Sequence, residues 1–404
     1  MDFNLNDFLR AVANSLDSVE TDIFGVATNH SKRVAYISVK IASEFGLKNE
    51  EVFDLASLAI MHDNGASMKI LHDNLLGTAK ERQVIMESKQ EHCSLGDDNL
   101  KTFPFLTNPQ NIIKFHHEKF DGSGFFGIAR NEIPLLAQII SLSDTLDLKF
   151  DLRNAVKKEE VITFVREYRN IYFSPLLSDL FVKISERLSF WEGLSDENID
   201  GSLSKIIPVF SKNLSYSEIH SITETLSKII DAKSKYTQLH SVGVSKKTGR
   251  MSEYYQIDAI TRMKLLIAAD LHDLGKLEVS NAVIDKPGKL TCEEYEEVKK
   301  HPQLTRTCLQ NISGFEDISR WAGNHHERLD GSGYPDGLYG EALDFNSRLL
   351  ACVDVYQALR EKRPYRKSMD HKMAAKTLSN MAKAGKLDHK IVDDINSVFS
   401  SIMV

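Results

Sequence analysis

The chain has 404 residues, enough for two or three domains that each bury a core without disulfide support. Hydrophobic residues make up 42% and charged residues 26%, with 9 Pro and 21 Gly, which excludes a disordered, collagenous or low-complexity chain. Fifty Lys and Arg against 57 Asp and Glu leave a net charge of −7, which argues against a nonspecific binder of nucleic-acid polymers but not against recognition of a small anion by a local cluster of cations.

In chain order, MDFNLNDFLR offers neither the basic nor the apolar part of a signal peptide. LNDFLRAVANSLDSVETDIFGVA spaces its apolar residues by three and four and predicts an amphipathic helix. YISVKIASEFGL predicts a second helix closed by Gly46, and EEVFDLASLAIMHD a third. From Trp191, WEGLSDENIDGSLSKIIPVF gathers Gly, Ser, Asp and Pro and reads as a junction, its tail either loop or a short connecting helix. SEIHSITETLSKIIDA and ITRMKLLIAADLHD return to helical spacing. KIIPV and RLLACVDVY are apolar enough for strands, but RLLACVDVYQAL also has helical spacing, and a core helix suits its neighbours. The four cysteines, Cys93, Cys292, Cys308 and Cys352, show no CxxC spacing, which argues against a disulfide framework or a thiolate zinc site. No stretch approaches 18 apolar residues, so no membrane span and a cytoplasmic location are expected.

One ionisable pattern occurs twice. HHEKFDGSG begins at His116 and HHERLDGSG at His325; His62-Asp63 is repeated as His272-Asp273. NHSKRV and LHSVGV align His30 with His240, His92 aligns with His301, and Asp144 with Asp354. Each pair is separated by 209 or 210 residues, the mark of an internal duplication. The closing segments FSPLLSDLFVKI, from Phe173, and LDHKIVDDINSVF, from Leu387, correspond as well. The expected fold is all-α: two tandem helical domains, residues 1–190 and 213–404, joined by a linker over 191–212.

A single histidine on an apolar helix is ordinarily a hydrogen-bonded structural residue, so the set must be judged together. His240, His272, Asp273, His301, His325, His326 and Asp354 supply five imidazoles and two carboxylates, ligands that divalent Fe, Mn, Co, Ni and Zn share. Seven side chains exceed one tetrahedral ion; they suit two octahedral ions if one carboxylate bridges, leaving positions for water and substrate. Neighbours on a helix point about 100° apart, so His272 and Asp273 can face different ions. Lys276, one turn further in DLHDLGK, can oppose charge on a phosphoryl oxygen. Glu327 and Asp330 are candidates to hold the ligands by hydrogen bonds. The basic run REKRPYRKS, from Arg360 to Ser368, is either a phosphate clamp or a solvated loop.

The second unit resembles the HD-GYP subfamily of HD-superfamily phosphohydrolases over about residues 213–404. The His-Asp pair is His272-Asp273 and the Gly-Tyr-Pro triplet Gly333-Tyr334-Pro335; YTQLHS, HDLGK, His301-Pro302 and HHERLDGSGYP match further parts of the pattern. The resemblance implies two divalent metal ions, iron or manganese by preference and nickel, cobalt or zinc as alternatives, and hydrolysis of a bacterial 3′,3′-cyclic dinucleotide. One ion would take His240, His272 and Asp354, the other His301, His325 and His326, with Asp273 bridging and Lys276 assisting catalysis. Tyr236 stands where some relatives carry a glutamate for a third metal, which favours a binuclear site. Expected substrate contacts are Tyr334, Pro335, Gln357, Arg363 and Arg366. Many relatives carry aspartate at the place of Gln357 in DVYQAL; an amide both donates and accepts, so it can serve adenine as well as guanine. This departure, with a tandem arrangement similar to the family's 3′,3′-cGAMP phosphodiesterases, turns the expectation to 3′,3′-cGAMP. Cyclic di-GMP is the alternative, and a noncatalytic, dinucleotide-dependent interaction module a second one. The family also implies a dinucleotide cyclase as a protein partner.

The first unit keeps His30, His62, Asp63, His92, His116, His117 and Asp144, but has Ala66 in the place of Lys276 and Gly124-Phe125-Phe126 in the place of GYP. It reads as a degenerate, noncatalytic domain that supports the second and can still hold metal. A weak active site and a unit that binds nothing are the alternatives. Phe125 and Phe126 either contact the other domain or fill this unit's own core.

Overall fold

A computed structural model of the chain describes residues 1–24, 28–65, 90–153, 157–234, 239–286, 288–362 and 367–400, with the side chains of residues 19–24 left aside. Among them the structure is α-helical, as expected, apart from two-residue strands at Asp2–Phe3 and Lys212–Asn213. Ala66, Tyr236, Arg363 and Arg366 lie outside the described residues. The fold divides into two compact units, Asp2–Lys212 and Asn213–Val404 with Met1.

The first unit contains α1 (Leu5–Phe24), α2 (His30–Phe45), α3 (Asn49–Ile60), α4 (Glu91–Asn99), α5 (Leu135–Phe150), α6 (Lys158–Glu167), α7 (Pro175–Ser185), α8 (Leu188–Glu192) and α9 (Ile199–Ile206). Helix α2 packs on α3, α5, α7 and α9 and forms the centre of the unit. Gly46, at φ 88°, ends α2 in the left-handed conformation that its sequence position predicts.

The expected linker over 191–212 is instead part of this unit. Trp191, Leu194, Ile199 and Leu203 are buried, and Trp191 Nε1 donates to the Ser185 carbonyl at 2.8 Å. Ile199 and Leu203 stand four apart, so one face of α9 is apolar and lies on α2. Asp200 pairs with Arg10 and Lys32, each at 3.1 Å. Asp200, Gly201, Ser202 and Ser204, which helped suggest a joint, are the polar side of a packed helix. KIIPV is no strand: Ile206 ends α9, and Pro208 lacks the N–H that a ladder requires.

The second unit contains α10 (Tyr216–Ala232), α11 (His240–Tyr254), α12 (Ala259–Leu271), α13 (Asn281–Ile284), α14 (Cys292–Val298), α15 (His301–Leu309), α16 (Glu316–Gly323), α17 (Phe345–Arg360), α18 (His371–Lys383) and α19 (His389–Ser400). Ser215 and Glu218 cap α10 reciprocally, Asp258 caps α12 and Asp344 caps α17. RLLACVDVYQAL is the helix expected of it, α17, with Leu349, Leu350, Val353 and Tyr356 buried. Helix α12 packs against α10, α11 and α16, and α17 against α11, so the ends of several helices converge beside the middle of α17.

Candidate metal centre

Helix ends supply most of the expected ligands in the second unit. His240 opens α11, His272-Asp273 follow α12, His301 opens α15, His325-His326 follow α16, and Asp354 lies within α17. All seven converge. Asp273 turns Oδ2 toward His240 at 3.8 Å and His272 at 3.5 Å, and Oδ1 toward His301 at 3.4 Å and His325 at 3.6 Å. Asp354 Oδ1 lies 3.1 Å from His240 Nε2, and its Oδ2 lies 3.7 Å from His326 Nδ1. Gly275 allows the turn that brings α15 close, since a Cβ there would meet the His301 carbonyl oxygen at 2.2 Å.

Three imidazoles are oriented by backbone. His272, His301 and His325 donate Nδ1–H to the carbonyls of Ala269, Val298 and Ala322 at 2.7, 2.7 and 2.6 Å. Their Nε2 lone pairs therefore point into the cluster, where those of His301 and His325 stand 3.1 Å apart. Two facing lone pairs repel unless a cation lies near. The buried Nε2 of His272 and Oδ1 of Asp273 have no hydrogen-bond partner among the described residues. This donor set fits divalent metal, and the groups His240–His272–Asp273 and His301–His325–His326 each bring their donor atoms within 4.8 Å of one another.

Protonation favours the same role. Burial drives His325 and His326 well below the usual imidazole range. Burial alone would raise Asp273 and Asp354, but the surrounding imidazoles, with Lys276 beside Asp273, hold both well below the usual carboxylate range. His240 differs: burial opposes its charge, yet hydrogen bonds to Asp354 and Glu361 outweigh it and raise its pKa to about 9. Lys276 Nζ donates to Asp273 Oδ2 at 2.5 Å.

Glu327 and Asp330 do not touch the ligands as expected. Glu327 accepts from the backbone N–H groups of Asp336, Gly337 and Leu338, at 2.8, 3.2 and 2.9 Å, and pins the loop that follows Pro335. Asp330 accepts from Ser332. Acids next to paired histidines drew attention to these two, whereas backbone carbonyls fill the role for three rings. The Tyr334 ring lies 4.9 Å from that of His326. Gln357, expected at a base, is buried; its Oε1 accepts from Lys247 at 2.5 Å and its Nε2 donates to Glu361 at 2.5 Å. Sequence reasoning missed Lys247 and Glu361. Each follows a ligand, His240 or Asp354, by seven residues, two helical turns on the same face, which is the signal that would have found them.

The first unit repeats the geometry. His116 Nε2 lies 3.3 Å from Asp63 Oδ1, and His30 and His62 lie 3.3 and 3.5 Å from Asp144 Oδ1. His92 and His117 approach Asp63 at 3.8 and 3.9 Å. Cys93 adds a buried thiol whose Sγ is 3.3 Å from His92 Nε2, so His92, Cys93, His116 and His117 form one donor group. A spacing rule for cysteine pairs is blind to one thiol joined to imidazoles from other segments. The Phe125 ring lies 5.3 Å from His117 in the manner of Tyr334, and Phe126 packs edge-on against Phe115 at 5.4 Å, so both have partners within their own unit.

Tandem helical units with buried His-Asp clusters define a metal-binding phosphohydrolase class. An HD-domain family pattern matches residues 22–166 and again 224–391, and the chain belongs to the HD-domain family as a tandem-HD phosphohydrolase. It is 31% identical to the 3′3′-cGAMP-specific phosphodiesterase 1 of Vibrio cholerae serotype O1, over 97% of this chain and 91% of that one. It is 36% identical to the cyclic di-GMP phosphodiesterase response regulator RpfG of Xanthomonas campestris, over 36% of this chain and 40% of that one. The crystal structure of a cyclic GMP-AMP specific phosphodiesterase of V. cholerae shares the fold, with a TM-score of 0.69 at 24% identity, covering 100% of this chain and 99% of that one. Among the described residues, no helix is long and apolar enough to cross a membrane.

Proposed function

We propose that the second unit hydrolyses one phosphodiester of a bacterial 3′,3′-cyclic dinucleotide, with 3′,3′-cGAMP as the preferred substrate. Water adds to phosphorus, one ester P–O bond breaks, and the released ribose oxygen takes up a proton, which opens the ring to a linear dinucleotide. His240, His272 and Asp354 would hold one divalent ion and His301, His325 and His326 the other, with Asp273 shared; iron or manganese is our assignment. The ions would supply Lewis acidity toward the phosphoryl oxygen and the attacking water. The chain's own contribution is threefold. Nδ1–H bonds to backbone fix three rings, Asp273 presents an oxygen to each half of the cluster, and Lys276 offers a cation against charge developing on phosphate.

The observation that carries the preference is extent. The relative named for 3′3′-cGAMP matches along nearly the whole chain, both units included, whereas the one named for cyclic di-GMP matches about a third of it. Cyclic di-GMP is the second reading, favoured by that shorter match. In this proposal the first unit does not hydrolyse substrate and serves the second. Turnover of 3′,3′-cGAMP, cyclic di-GMP and cyclic di-AMP by metal-reconstituted full-length protein tests it. The highest kcat/KM is expected for 3′,3′-cGAMP. A higher value for cyclic di-GMP would reverse the preference, and no turnover of any would leave only a binding module.

A further inference from the structure

We propose that Glu361, braced by Gln357 and Lys247, positions His240 for metal, and that Gln357 serves this relay rather than a nucleobase; the proposal rests on the metal-centre reading above. Four side chains form one run of hydrogen bonds. Lys247 Nζ donates to Gln357 Oε1 and Gln357 Nε2 donates to Glu361 Oε1, both at 2.5 Å. The Glu361 carboxylate accepts from His240 Nδ1 at 3.0 and 3.2 Å. His240 Nε2 is thereby turned toward Asp354 and Asp273. His240 Nδ1 thus meets a side-chain acceptor, whereas His272, His301 and His325 meet backbone carbonyls.

The first unit meets the same need differently. His30 Nδ1 bonds Asp147 Oδ2 at 2.7 Å, and Arg33 Nε donates to Asp147 Oδ1 at 2.7 Å. Asp147 follows Asp144 by three residues, as Gln357 follows Asp354; Arg33 follows His30 by three, as Gly243 follows His240. In the second unit arginine is replaced by glycine and the nearer carboxylate by an amide. A Cβ on Gly243 would lie 2.2 Å from Gln357 Nε2, so the glycine is what admits the amide. The carboxylate that meets the ring then comes from Glu361, one turn further along, and the cation from Lys247. The two copies thus differ at Gly243, Lys247 and Gln357, where the first unit has Arg33, Ile37 and Asp147, while both keep a carboxylate on the first histidine. Each end of the Gln357 amide is engaged in the relay, and the side chain is buried, which sets it behind His240 rather than at an open surface where a base would lie.

Metal affinity decides the matter without substrate. Manganese and cobalt binding to the full-length protein is measured by competition with a chelator, cobalt absorption bands report ligand geometry, and His272→Ala protein gives the share of the first unit. Glu361→Ala is expected to weaken binding at the second unit by about 10–100-fold and to shift the cobalt bands. Glu361→Gln, which keeps an acceptor, should weaken it less. Gln357→Asp added to Glu361→Ala should restore affinity by placing a carboxylate where Asp147 stands. Gln357→Leu should lower metal affinity and reduce kcat/KM for 3′,3′-cGAMP and cyclic di-GMP by the same factor. Unaltered affinity in Glu361→Ala, failure of the Asp rescue, or a Gln357→Leu protein whose substrate ratio changes at unaltered metal affinity would each overturn the proposal. Wild-type protein that takes up no metal would overturn the metal-centre reading itself.

Discussion

Asp273 is the residue on which the two halves of the second cluster depend, because its two oxygens divide His240 and His272 from His301 and His325. Asp273→Ala is therefore expected to lose metal from both positions together with turnover, as measured by metal analysis of purified protein; full occupancy in the variant would remove Asp273 from the bridging role. Lys276 is expected to behave differently. It pairs with Asp273 and competes with metal for that carboxylate, so Lys276→Met should bind metal at least as well as wild type. Its kcat should still fall by about 10²-fold, the usual loss when one donor to a developing anion is removed. Equal kcat in the two proteins would take Lys276 out of the mechanism. At this scale the clustered residues proposed as ligands were legible because His-Asp and His-His pairs recur at one spacing. Glu361, Lys247 and Cys93 were not. Their roles arise from neighbours brought in by other helices or by another turn of the same one, and a residue's type does not reveal whom it will meet.

At the scale of elements, the helices were visible from their apolar periodicity, and the error fell where polarity and helicity coincide. Residues 191–212 carry the composition of a joint, yet Trp191, Ile199 and Leu203 are core residues. Trp191→Ala should then destabilise the first unit by about 3–5 kcal/mol in denaturant unfolding, as loss of a buried indole does; a change below about 1 kcal/mol would return the segment to the status of a linker. Gly275 tests the approach of two elements. A methyl group there would overlap the His301 carbonyl oxygen, so Gly275→Ala should displace α15 and cost about 1–3 kcal/mol. Metal content should fall with it, because His301 moves with its backbone. A variant with wild-type melting temperature and metal content would show that the contact yields freely.

At the scale of the whole molecule the two units carry one ligand pattern but different surroundings, with Tyr334 near one cluster and Phe125 near the other. His272→Ala in the full-length protein is expected to abolish phosphodiesterase turnover while leaving metal bound at His30, His62, Asp63, His92, His116, His117 and Asp144. Turnover that survives would make the first unit an enzyme in its own right. The sequence by itself determined the duplication, the helical class and the candidate ligand set, since these depend on periodicity and on residue types at repeated intervals. Only the tertiary structure decided that Glu327 pins a loop, that backbone carbonyls orient three of the imidazoles, that 191–212 is packed, and that Gln357 is held between Lys247 and Glu361. The reason is physical. A hydrogen bond or a buried contact depends on distance and direction between groups far apart in the chain, and those are set when helices pack.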